Sequence, residues 1–222
     1  MGWQVDEKLC QDWADSLIKR HNAKRFEEPH KVDPYDLIDI IDARLSIDYL
    51  TPTREYLGAT VFQDSCLWVW PDVPYFTGML PMKKFYCKNT IIIDKDLAES
   101  DVDTDKKITN YTFVHEAMHF ENHESKITQG YHKCQNSKNG KNSIEQEADY
   151  SAALFWMPKN AVLNVFREEF KIKKGQLFPL PLYYDTKPTI QKMAKIFDVN
   201  YSPMVYRLQE LELIERNWGK PW

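Results

Sequence analysis

The spacing of apolar residues changes period twice along the chain, and each change marks a change of element. Val5, Leu9, Trp13, Leu17 and Ile18 fall at helical spacing, so residues 5–23 predict a first helix. In "KVDPYDLIDIIDARL" Asp33 reads as a helix cap and Pro34 as the first helical position of a second. Between about 46 and 94 the runs "SIDYL", "YLGATVF", "CLWVWP" and "NTIIID" are β-branched or aromatic, with turn residues between them, and predict short strands. From about 106 the helical period returns, through Ile108, Tyr111, Thr112, His115 and His119 to His123. "SKITQGYHKCQNSKNGKNS" is polar, contains Asn139-Gly140 and predicts a loop. Ser143 with Gln146 makes a capping-box start for a helix from 144 to about 157, which Pro158 ends. Helical patterns follow at 159–171, 188–198 and 202–214, with "KKGQLFPLPLYYDT" as a proline-bearing connector. The expected class is α+β: a small, mainly antiparallel sheet packed on a helical core, ending in a C-terminal helical pair.

Composition narrows the function classes. Of 222 residues, 43% are hydrophobic and 14% aromatic, enough for a folded core in one domain, or in one domain with a small appendage. A formal charge of −4 argues against bulk nucleic acid as the main partner. No apolar run approaches the roughly 18 residues needed to span a bilayer. The start "MGWQVDEKLC" lacks a basic region followed by an apolar stretch, and Asp6 stands where a myristoylation signal has Ser or Thr. Cys10, Cys66, Cys87 and Cys134 are scattered, with no Cys-x-x-Cys pair, and read as reduced thiols of a cytoplasmic protein.

The chemistry concentrates in "FVHEAMHFENH", residues 113–123. His115 and His119 stand one helical turn apart, with Glu116 beside them, in the His-Glu-x-x-His pattern of zinc hydrolases. Two imidazoles so spaced reach one ion, and the carboxylate is placed to take a proton from a water molecule. The rival reading is a solvated helix with scattered histidines, so a third ligand is needed. His123 does not supply it: two turns from His115, it lies about 12 Å further along a straight helix, and is expected to flank the site or face solvent. In the helix "SIEQEADYSAALFWMP", Glu145 and Asp149 share a face. Glu145 is then the candidate ligand, with Asp149 accepting a hydrogen bond from a ligand imidazole. Glu147 lies roughly 200° from Glu145 around the axis and is the weaker candidate. Cys134 is a remoter one. Tyr131, His132 and Tyr150 are candidate donors to a tetrahedral oxyanion, and "NTIIID" is a candidate edge along which a substrate strand adds.

The two elements "TFVHEAMHF" and "EQEADYSAALFWMP" together resemble the ImmA/IrrE family of metallopeptidases, a gluzincin-like group. "NTIIIDKD" resembles the strand before the family's active-site helix, and "IQKMAKIFDVNYSPMVYRLQELELI" its C-terminal helical pair. The resemblance spans roughly 85 to 215 and departs at Phe155-Trp156, where Leu-Leu is commoner, and in the insert around 175–187. It implies one Zn2+ per chain held by His115, His119 and Glu145, with Glu116 as catalytic glutamate. The expected organisation is a metallopeptidase-like domain over 1–171, followed by a connector and helical pair over 172–222. It also implies a cytoplasmic endopeptidase that cuts a helix-turn-helix repressor, such as mobile genetic elements carry. The C-terminal pair has a helix-turn-helix cadence of its own, but Glu210, Glu212 and Glu215 would face phosphates badly, so packing or partner recognition is expected rather than direct DNA binding. The alternative from another class is a regulatory binding protein that acts through these helices without proteolysis.

Overall fold

In the structure, a computed structural model that describes residues 5–71, 79–135, 143–172, 179–180 and 186–215, the helices form where periodicity and caps demand them. Helix α1 runs Glu7–Asn22, and α2 runs Pro34–Ile40 with the Asp33 side chain accepting from the Tyr35 amide at 3.0 Å. Short α3 (Lys95–Ala98) leads into α4 (Asp103–Asn122), and α5 (Ser143–Trp156), α6 (Lys159–Glu169), α7 (Lys187–Ile196) and α8 (Tyr201–Glu210) follow. The connector falls outside the described residues except at 179–180 and 186, as do Asn139-Gly140.

The strands are β1 (Arg44–Asp48), β2 (Tyr56–Val61), β3 (Ser65–Val69), β4 (Met82–Tyr86), β5 (Thr90–Asp94) and β6 (Tyr131–Gln135). The expected α+β class holds. Four strands form a sheet in the order β1-β5-β2-β6, antiparallel except for the β1/β5 pair, and β3 pairs with β4 in a separate antiparallel hairpin. Two strands were hidden. β4, Met-Lys-Lys-Phe-Tyr, buries only its last residue and so lacks an apolar alternation. β6 lies in the polar stretch expected to be a loop, and its ladder comes from β2 rather than from its own composition. One expectation is corrected: "NTIIID" is β5, paired on both sides, so no further strand can add to it.

The chain divides into two compact units, Met1–Ala14 with Asp33–Ala152 and Asp15–Val32 with Ala153–Trp222. In the first, one face of β2 packs Ala59 and Val61 into a core with Leu50, Leu67, Val69 and Ile92. The opposite face lies against α4. There the backbone of β2 comes so close that a Cβ on Gly58 would stand 2.7 Å from Glu116 Oε1 and 2.9 Å from Thr112 Cγ2.

In the second unit two buried arginines satisfy the carbonyls that end α5. Arg25 donates to the Phe155 carbonyl at 2.9 Å with its guanidinium 4.1 Å from the Phe155 ring centroid. Arg207, from the Arg-Leu-x-x-Leu run, donates from Nε to the Met157 carbonyl at 3.0 Å and from Nη1 to Glu210 at 2.8 Å. A helix leaves its last carbonyls without partners, and a cation there also suits the macrodipole. Arg207 is thus committed inward, at 3% exposure.

Gly58→Ala forces Glu116 or α4 to move, and overpacking of this kind costs about 1–3 kcal/mol. Chemical denaturation of parent and variant measures it, and an unchanged midpoint would show that the contact yields freely.

Candidate metal centre

Eight consecutive residues of α4, Thr112 to His119, are buried, because the helix is covered on several sides at once. His115 and His119 project from it one turn apart, and Glu145 comes from the first turn of α5. His115 Nε2 and His119 Nε2 stand 3.0 Å apart, and the Glu145 carboxylate oxygens lie 3.5 Å from the first and 3.2 Å from the second. Donors held tetrahedrally at about 2.0–2.1 Å from a zinc ion stand about 3.3 Å from one another. The three sequence-derived donors therefore fit the spacing of one ion.

Protonation suits the same role. Burial holds the His119 ring down at about 3, so it is neutral at physiological pH. Burial opposes ionisation of Glu145, but its bonds with His115, His119 and His132 hold it far below the usual carboxylate range. His115 is raised well above its ordinary value: burial works against this, and Cys134, Asp149 and Glu145 outweigh it. A cation entering here displaces that proton.

The outer partners fall into place around these donors. His115 Nδ1 meets Asp149 Oδ1 at 3.0 Å, as the shared face of Glu145 and Asp149 predicts, and the Tyr111 hydroxyl donates to the Asp149 backbone carbonyl. Glu147 points away from the donor set and accepts from Lys126 at 2.8 Å, with His123 Nε2 3.0 Å from the same oxygen. Of the two expectations for His123, the solvent-facing one is corrected and the polar flank of the site is the one the structure shows. His123 has no exposed surface, and its Nδ1 lies 2.8 Å from His119 Nδ1. Cys134 joins His115 and Glu116 in a second group of ligand-type atoms within 4.8 Å of one another. Burial pushes its thiol up to about 11, so it is protonated in the metal-free protein.

Glu116 lies between α4 and β2. Its Oε2 accepts from the Thr60 hydroxyl at 2.7 Å, while Oε1 is buried with no hydrogen-bond partner among the described residues. Burial raises its carboxyl to about 7, with His115 and Thr60 pulling it back and Glu145 pushing it further up. A carboxyl poised there suits a general base.

The three candidate oxyanion donors separate. His132 stands opposite Thr60 in the β2/β6 ladder, its Nε2 engages Glu145 Oε1, and its ring lies 4.6 Å from that of His119. Tyr131 is corrected: one residue earlier on the strand, it packs on the other face of the sheet against the Val61 core. Tyr150 is buried on α5, roughly 140° around the axis from Glu145, and so on another face. Sequence reasoning missed Thr60 and Gly58. Their i, i+2 spacing in "YLGATVF" put both on one strand face and was the available signal.

An acid whose folded value lies above its ordinary 4.5 favours folding fully only while protonated, and that support is lost as pH rises through about 7. In metal-free protein, Glu116→Gln should therefore gain stability relative to the parent between pH 5 and 8, by about 1–3 kcal/mol. Parallel denaturation curves at several pH values test this, and a pH-independent difference would contradict it.

No curated protein matches the chain. The family model described as Peptidase_M78, IrrE N-terminal-like domain, matches residues 102–208, which contain His115, Glu116, His119, Glu145 and Asp149. This segment is thus similar to the Peptidase_M78 family, with its IrrE N-terminal-like domain.

Proposed function

We propose that the chain is a zinc-dependent endopeptidase of the cytoplasm whose substrate is a helix-turn-helix transcriptional repressor. The observation that carries the peptidase reading is Glu116: a buried carboxyl, one oxygen anchored by Thr60 and the other unpartnered, beside three donors at the spacing of one ion. A site built only to hold a structural metal needs no such base.

His115, His119 and Glu145 would hold the ion. When bound, zinc supplies a Lewis acid that acidifies a water molecule and polarises the scissile carbonyl. Glu116 takes the proton from the attacking water, and Thr60 keeps the carboxylate turned toward it. The same carboxyl then returns the proton to the leaving amine. His132, on β6, is the remaining candidate to steady the oxyanion.

The outer edge of β6 is unpaired among the described residues, and it carries His132 into the site. A substrate segment extended along that edge would bring its carbonyl toward Glu116. Among the described residues no helix is long and apolar enough to cross a membrane, and all four cysteines are free, which supports the cytoplasmic reading. The repressor as substrate rests on the family resemblance, and burial of Arg207 removes one cation from any phosphate-binding surface.

Glu116→Gln keeps the shape of the side chain and removes the base. It should bind zinc like the parent and cut about 10²- to 10⁴-fold more slowly. Parent and variant are mixed with zinc and a helix-turn-helix repressor encoded nearby, and the products weighed by mass spectrometry. Discrete fragments from the parent and intact repressor from the variant are expected. Equal cutting by both would expose a contaminating protease, and tight binding without cutting by either would make the chain a regulatory binding protein.

A further inference from the structure

His119 and His115 differ in what stands behind them. Behind His115 is a carboxylate, Asp149, at 3.0 Å. Behind His119 is a second imidazole, His123, with Nδ1 facing Nδ1 at 2.8 Å, and only behind that a carboxylate, Glu147, 3.0 Å from His123 Nε2. His123 has no exposed surface, and Glu147 retains 7% exposure, with Lys126 donating to the same Oε2 at 2.8 Å.

The direction of every proton in this series follows from its far end. An ionised carboxylate only accepts, so His123 Nε2 must donate to Glu147. His123 is fully buried and shares the Glu147 oxygen with the Lys126 ammonium, so there is no place for a second positive charge and the ring carries one proton. With that proton on Nε2, its Nδ1 can only accept, and the facing His119 Nδ1 must therefore carry a proton. The lone pair of His119 is then on Nε2, the atom that faces His115 Nε2 and Glu145. Reversal of the series would put a proton on that inward nitrogen and spoil it as a ligand.

We propose that His123 and Glu147 are positioning residues: a carboxylate–imidazole relay that fixes His119 in the tautomer a metal requires. The assignment rests on His119 being a zinc ligand. It gives the third histidine of the window, which is too far along the helix to share an ion with His115, a defined task. It also gives Glu147 a role one step behind the site rather than in it. A bare structural role would need only a side chain of similar volume at 123. The relay needs an acceptor there.

The test is zinc affinity, read by competition with a chromophoric chelator, for the parent, His123→Leu and His123→Gln. Leucine fills the space without accepting, and zinc affinity should fall about 10- to 100-fold, as for loss of a partner behind a ligand. Glutamine offers a side-chain carbonyl to His119 Nδ1–H and should restore most of that loss. A second measurement needs no variant. In zinc-loaded protein labelled with 15N-histidine, the His119 Nδ1–H proton should show scalar coupling to His123 Nδ1, and His123 should carry its own proton on Nε2. A folded His123→Leu chain that binds zinc as the parent does would overturn the relay, and so would a proton on His123 Nδ1. A parent that takes up no zinc is a separate result: it removes His119 as a ligand, and the relay with it.

Discussion

Burying a polar side chain is costly unless its hydrogen bonds are met inside the protein, and the middle of α4 buries four of them. Thr112, His115, Glu116 and His119 occupy the stretch where the helix is covered, and much of the first unit is arranged to receive them. Asp149 answers His115, His123 answers His119, Thr60 answers Glu116, and Glu145 completes the inward set. What is left over is the informative part: three ligand-type atoms that converge on one another, and one Glu116 carboxylate oxygen with no hydrogen-bond partner among the described residues. A polar network short of complete satisfaction is expensive to keep. It is the kind of expense that a functional site carries.

The sheet explains how the helix can be held so closely. Alternation along β2 gives its two faces opposite duties, with Ala59 and Val61 turned to an apolar core, Gly58 and Thr60 to α4. The missing side chain at 58 is a positional requirement of Glu116, since the space a methyl group would need is already occupied by its carboxylate. In the second unit the same economy of buried polar groups appears in another form. Arg25 and Arg207 are spent on the exposed carbonyls of one helix end, so that two of the chain's cations serve packing.

Much of this could be read from the chain alone, for reasons that differ by element. The helices carried periodicity and punctuation: Asp33-Pro34 before α2, Pro158 after α5. The convergence of the candidate donors was legible because helical geometry turns spacing into direction, which also separated Glu145 from Glu147 by their angle around α5. What stayed hidden depended on partners distant in sequence. β6 is polar and short, and it is a strand because β2 lies beside it. His123 was judged by its distance from His115 and not by what stands behind His119, since no spacing rule announces a hydrogen bond to the far nitrogen of a neighbour. Tyr131 and His132 were interchangeable until the strand assigned them to opposite faces.

The outer edge of β6 presents peptide groups, and peptide groups are alike in every residue but one. An extended chain laid along that edge would be gauged by its straightness rather than by its alphabet. Side chains on such a chain alternate, so only every second one would face the sheet's helical side. Proline alone would betray its identity through the backbone, because its nitrogen has no hydrogen to give to the ladder. Selectivity on this surface, were a chain to bind there, would thus begin with a veto, and a segment already coiled into a helix would have to unwind before it could be accepted.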